Sequence, residues 1–196
     1  MKRNISKNAL VYQAKSFYNA AINLERIHHE SGNLLFLVPM VVNAAFSVEI
    51  AFKAILACED ISYENEHNLF ILYGLLPDKA KILVQKWIEK KTPEYDLESF
   101  LNELILVSDS FRQWRYSFEG DVAPALEIRF LMCLANAAIG TMFEMGYNVD
   151  LVETREEMSA EEIERVNRMF DESRSEALEM NKRHIARKIE QNRKSK

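Results

Sequence analysis

Apolar residues return at three- and four-residue steps near the start of the chain (Leu10, Ala14, Phe17, Ala21, Leu24), which predicts a helix with one oily stripe. Ser31-Gly32-Asn33 ends it, with glycine as the C-terminal stop. The next run, about Phe36 to Glu59, is apolar on most sides, the pattern of a helix touched by several neighbours. Pro39 falls in its first turn, where a missing N–H costs nothing. Asp60 to Glu66 is a polar loop. A short helix follows at about His67 to Leu75, and another from Pro77 or Asp78 to Lys90. Thr92-Pro93-Glu94 marks a boundary, helix resumes from Asp96 to about Ser117, and Glu119-Gly120-Asp121 breaks it. Val122 to Gly146 is the last long apolar run. Strand-like alternation never persists beyond a few residues. The expected fold is all-α, an up-and-down helical bundle of four long and two shorter helices.

From Glu153 onward the pattern changes. Residues 153–196 hold 11 acidic and 11 basic side chains, with acid dominant before residue 180 and base after it. That order suits a helix dipole, and Ser159-Ala160-Glu161-Glu162 has capping-box spacing. Glu161–Arg165 and Glu164–Arg168 are favourable i, i+4 pairs, and Ile163, Val166, Phe170 and Ala177 make a thin apolar stripe. The division expected is therefore a helical body over 1–152 and a long, charged C-terminal helix over 153–196.

Composition narrows the class. Of 196 residues, 48% are hydrophobic, enough for a core, while 5 Gly and 4 Pro are too few for a turn-rich all-β fold. A net charge of −5 argues against a surface coated for nucleic acid, and leaves room for a local basic patch. Cys58 and Cys133 lie far apart inside apolar runs and read as buried thiols. The uncharged stretches Leu34 to Val48 and Phe130 to Phe143 span 15 and 14 residues. Both are shorter than the roughly 18–20 residues needed to cross hydrocarbon. Met1-Lys2-Arg3-Asn4 leads into an amphipathic helix instead of a signal peptide. A cytoplasmic protein with no membrane contact is expected.

Polar residues inside the oily helices are the candidate chemistry. Glu49 and Lys53 share a helical face in the favourable order. They read either as a helix-orienting ion pair or as the lining of a polar groove. His67 opens a helix after the acidic residues Glu64 and Glu66, as a cap or as a site residue. Arg112 and Arg115 share a face beside Trp114 and Tyr116, an arrangement that suits forked phosphate recognition and base stacking, or pairing with Glu119 or Glu49. No metal is expected, because no His, Cys or carboxylate falls at ligand spacing from His67, and His28 and His29 point about 100° apart on a helix. No nucleophile elbow or phosphate-cradling glycine loop occurs. The cluster Lys182, Arg183, Arg187, Lys188, Arg193, Lys194 and Lys196 offers candidate phosphate contacts, or simply a solvated helix end.

Ser47-Val48-Glu49-Ile50-Ala51-Phe52-Lys53-Ala54, then His67-Asn68-Leu69 with Leu72-Tyr73, then Phe111 to Tyr116 with Glu119, together resemble the HEPN superfamily (higher eukaryotes and prokaryotes nucleotide-binding). The likeness covers about residues 8 to 147. It matches that family's Glu-x3-Lys-Ala helix, its His-Asp-Leu helix start and its Trp-Arg-Tyr segment, with Asn68 standing where Asp is usual. The resemblance implies a helical bundle, usually a homodimer, in bacterial defence, toxin–antitoxin or RNA-processing settings. It also implies Glu49, Lys53, His67, Arg112, Arg115, Tyr116 and Glu119 as a shared polar centre. Partners so implied are RNA, a nucleotide, an antitoxin or a nucleotidyltransferase. Many members cleave RNA without metal through Arg-x4–6-His, and no arginine stands five to seven residues before His28, His29, His67 or His184. The expected function is therefore a non-catalytic dimeric binding module without a cofactor. A divergent metal-independent ribonuclease and a purely structural interaction module are the alternatives.

Overall fold

The computed structural model describes residues 7–63, 65–108 and 127–147, together with Glu164, Arg168, Glu179, Lys182 and Arg183. The chain divides into two units, Met1–Val149 and Asp150–Lys196. The first contains α1 (Lys7–Ser31), a 3-10 turn (Leu34–Phe36), α2 (Leu37–Cys58), α3 (Leu69–Leu75), α4 (Asp78–Lys91), α5 (Leu97–Val107) and α6 (Ile128–Glu144). No strand occurs among the described residues. In the second unit the five described residues are helical and exposed, and Lys182 Nζ donates to Glu179 Oε1 at 2.9 Å. The other residues of the expected charged helix lie outside the described ones.

Every residue of α2 from Ser47 to Phe52 is buried. Because a helix turns about 100° per residue, six consecutive buried positions mean that it is covered on all sides. α1, α3 and α6 supply the cover. Lys7 Nζ pairs with Asp60 Oδ1 at 2.9 Å, Ser47 Oγ donates to the Ala14 carbonyl at 3.0 Å, and the rings of Phe17 and Phe46 meet edge-on at 4.5 Å. Rising numbers on α1 meet falling numbers on α2, so the two form an antiparallel hairpin. Lys15 lies over the Phe143 ring and Tyr18 reaches Asn136, which makes α6 antiparallel to α1 and parallel to α2. Small residues (Ala14, Ala44, Ala45, Ala51) keep the buried hairpin seam narrow. Counting uncharged residues stops at Val48, but the helical run continues through Glu49 and Lys53. Leu34–Cys58 is 25 residues long with mean hydropathy 2.0, long and apolar enough to cross a membrane, and half of its apolar window is buried within the protein.

Helix ends follow local chemistry, and several differ from the expected boundaries. Asn68 holds extended backbone and its Oδ1 accepts from Ile71 N, so α3 starts at Leu69 and leaves His67 in the preceding loop. Asp96 caps α5 through Ser99 N. α5 is described as far as Val107; the rest of the expected helix to Ser117 lies outside the described residues. Glu127 is extended and its carboxylate accepts from Arg129 N, so α6 starts at Ile128 and not at Val122. Gly146, at φ +82, closes α6 with paired bonds from Gly146 N to Phe143 O and Tyr147 N to Met142 O. Asp60 performs the same turn after α2 at φ +55, with Asp60 N to Ala57 O and Ile61 N to Leu56 O. The two parallel C-termini are tied by the Tyr147 hydroxyl donating to Glu59. Burial and the Glu59 carboxylate push that phenol well above its ordinary pKa.

Aromatic rings bind the shorter helices to this frame. Centroids of Phe52 and Tyr73, Tyr73 and Phe100, and Phe100 and Phe130 lie 6.2, 5.3 and 5.9 Å apart, linking α2, α3, α5 and α6. α4 approaches α6 so closely that a Cβ added at Gly140 would sit 2.5 Å from Trp87 Cε2. Gly140→Ala is expected to destabilise by about 1–3 kcal/mol through overpacking. Gly74→Ala in α3, with open space around it, should stabilise by about 0.5–1 kcal/mol. Urea unfolding monitored by circular dichroism checks both signs, and equal shifts would refute the close α4–α6 approach.

Candidate functional site: a buried carboxylate with a lysine and a histidine

Two elements converge on one oxygen. α2 carries Glu49 and Lys53 one turn apart, and Lys53 Nζ donates to Glu49 Oε1 at 2.7 Å. The loop before α3 returns His67 to the same face, where Nδ1 lies 2.8 Å from Glu49 Oε1. An ionised carboxylate has no proton to give, so Nδ1 carries the hydrogen and donates. The 3.5 Å approach of Lys53 Nζ to Nδ1 is then a contact between two donors sharing an acceptor. Exposure grades the three side chains: Glu49 2%, Lys53 13%, His67 67%. A carboxylate at that depth is held by its partners, because an unpaired buried charge is very costly. Glu49 Oε2 is also buried and has no hydrogen-bond partner among the described residues.

The loop is itself fixed from both sides. Glu66 Oε1 accepts from the backbone N–H groups of His67 and Asn68 at 2.8 and 2.7 Å. Asn68 Nδ2 donates to Ser108 Oγ at 3.1 Å, and Ser108 Oγ spends its own proton on the Ile105 carbonyl at 2.7 Å. Leu69 N reaches the Ser108 carbonyl at 3.0 Å. The start of α3 is thus tied to the end of α5. These bonds explain an amide at position 68: a carboxylate would keep the cap, but would face a hydroxyl with no proton left to donate. Tyr63 completes the surround, its ring centroid 5.9 Å from Lys53 Nζ.

Glu49, Lys53 and His67 are therefore brought together. Arg112, Arg115, Tyr116 and Glu119 lie outside the described residues, as do Arg187, Lys188, Arg193, Lys194 and Lys196. Lys182 and Arg183 are exposed helical residues. Ser108 and Tyr63 were not singled out by sequence. The Asn68 cap had a local signal, an Asn just before an apolar helix, whereas the Ser108 contact spans forty positions and had none. Among the described residues no group of three or more His, Cys, Asp or Glu could hold a metal ion. Comparisons with protein-family models, curated proteins and solved structures return no match to this chain.

Two outcomes follow from this geometry. Lys53→Met should cost about 3–5 kcal/mol, since it strips the buried carboxylate of its main partner, whereas Glu49→Leu with Lys53→Met should be near neutral or stabilising. Denaturant titration of the single and double variants measures this, and equal losses would contradict it. Asn68→Asp should destabilise by about 1–3 kcal/mol although it preserves a good cap. Thermal unfolding against Asn68→Ser separates the lost amide donor from the cap.

Proposed function

We propose that the chain is a HEPN-like, non-catalytic dimeric module that binds RNA through the polar centre built on Glu49. The observation that carries this reading is the graded set itself: a deeply buried carboxylate fixes Lys53 and an exposed imidazole at the surface. With Nδ1 engaged by Glu49, His67 has Nε2 left to meet a ligand, and Lys53 lies beside it as a positive charge. Arg112, Arg115 and Tyr116, which the HEPN likeness assigns to the same centre, would add forked phosphate contacts and stacking. The missing Arg-x4–6-His spacing supports binding over cleavage. A cytoplasmic setting and a homodimer, alongside an antitoxin or nucleotidyltransferase partner, belong to the same proposal.

One observation favours a second reading, a divergent metal-independent ribonuclease. A carboxylate that orients an imidazole through Nδ1 is an arrangement that serves acid–base catalysis. Here His67 would exchange the proton and Arg112 or Arg115 would stabilise the phosphate.

Fluorescence anisotropy with a labelled single-stranded RNA at about 50 mM salt tests the first reading. Wild type is expected to bind, more weakly as salt rises, and His67→Ala to lose about 5-fold or more, as removal of one hydrogen bond would. Absence of binding by the wild-type protein, or equal binding by both, overturns it. RNA that shortens with wild type and survives with His67→Ala would install the ribonuclease instead.

A further inference from the structure

About 15–20 Å back along α2 from the polar centre, a concavity of about 560 Å³ opens between α1, α2, the end of α4 and the start of α6. That volume lies within the usual range for small-molecule sites. Ile22, Leu37, Met40 and Met132 give it apolar walls. Set among them is one polar pair: Asn136 Nδ2 donates to the Tyr18 hydroxyl at 2.7 Å. Asn136 Oδ1 is buried with no hydrogen-bond partner among the described residues, and Tyr18, acting as acceptor, still has a proton to give. An incompletely hydrogen-bonded polar pair therefore interrupts an otherwise oily cleft. The polar lining carries Lys91 and Arg129, with Glu25 as the single carboxylate. Arg129 is also paired with Glu94 at 3.2 Å, where both side chains are exposed and the attraction is weak.

We infer that this cleft binds an amphipathic organic anion: an apolar body bearing a hydroxyl or N–H group that meets Asn136 and Tyr18, and an acidic head that meets Lys91 and Arg129. The walls favour the body by removing it from water, and the incompletely bonded Asn136–Tyr18 pair rewards a ligand with a polar group at that point. The sign of the head follows from the lining charges. At the Cys133 thiol, inside the cleft, Arg129 and Lys91 each act more strongly than Glu25 or Glu94, although burial still raises the thiol pKa overall. The site is independent of the polar centre at Glu49 and shares none of its residues.

The two cysteines provide the measurement. Cys133 lines the cleft, while Cys58 ends α2 at the opposite end of the hairpin, near Lys7. Anilinonaphthalene sulfonate, which has an aromatic body, an N–H and an acidic head, is the probe. Its fluorescence should saturate at one molecule per chain. At ten times its Kd it should slow modification of Cys133 by methyl methanethiosulfonate about 10-fold, leaving Cys58 unchanged. Lys91→Glu and Arg129→Glu, both at exposed positions, should each weaken binding about 5-fold or more with an unaltered melting curve, and Asn136→Leu should weaken it as well. Displacement by decanoate or by naphthyl phosphate distinguishes an acyl from an aromatic occupant. Displacement by neither, a Cys133 that does not react in the free protein, equal slowing of both thiols, or variants that bind as wild type does would each overturn the assignment.

Discussion

The carboxylate of Glu49 sits in the most enclosed helix of the first unit, and the groups near the candidate site are arranged around pairing it there. α2 is covered by α1, α3 and α6 from Ser47 to Phe52, so the Glu49 carboxylate cannot turn to water. The hydration that an ion loses at that depth must be replaced by bonds of fixed geometry. Lys53 supplies one from the same helix, at the spacing of a single turn. His67 supplies the other from a loop, which obliges that loop to stay in place. The bonds from Glu66 and Asn68 to backbone and to Ser108 are what hold it.

The same requirement links fold to surface chemistry. A helix hidden on all sides usually has nothing to offer a ligand. Here the buried charge is relayed outward in steps, from a carboxylate with no exposure to speak of, through a mostly buried ammonium, to an imidazole that is largely open. The imidazole is preorganised because its other nitrogen is already engaged, so meeting a ligand would cost it little further ordering. At the opposite end of the hairpin the logic is reversed. There a cleft with apolar walls holds an incompletely bonded amide, which leaves hydrogen-bonding capacity unused in place of a group already satisfied.

Much of the architecture was legible from the chain. The apolar stripe of α1, the all-round apolarity of α2, and the glycines that close α1 and α6 act within a few residues of themselves, and those patterns predict helices directly. The pairing of Glu49 with Lys53 is equally local, since both stand on one turn of one helix. Boundaries were less legible where a side chain, not the apolar pattern, sets the start. Asn68 and Glu127 each take the capping position, and so move their helices one or more residues downstream of the apolar or polar cue. Asp60 closes α2 without a glycine, in the left-handed conformation, and its pairing with Lys7 is a contact that no short-range pattern contains.

What the amino-acid sequence determined by itself is the helices of the described residues and the presence of ions where a core must form, because periodicity and charge are properties of neighbouring residues. What only the tertiary structure decided is which groups answer which. That His67 bonds Glu49, that Asn68 needs Ser108, and that Tyr18, Lys91, Arg129 and Asn136 line one cleft are all facts about segments distant in the chain. Their meeting depends on the direction and separation of packed helices, and those are fixed by side-chain volumes across the core. Small alanines on α1 and α2 and the bare Cα of Gly140 against Trp87 bring the helices close enough for such contacts.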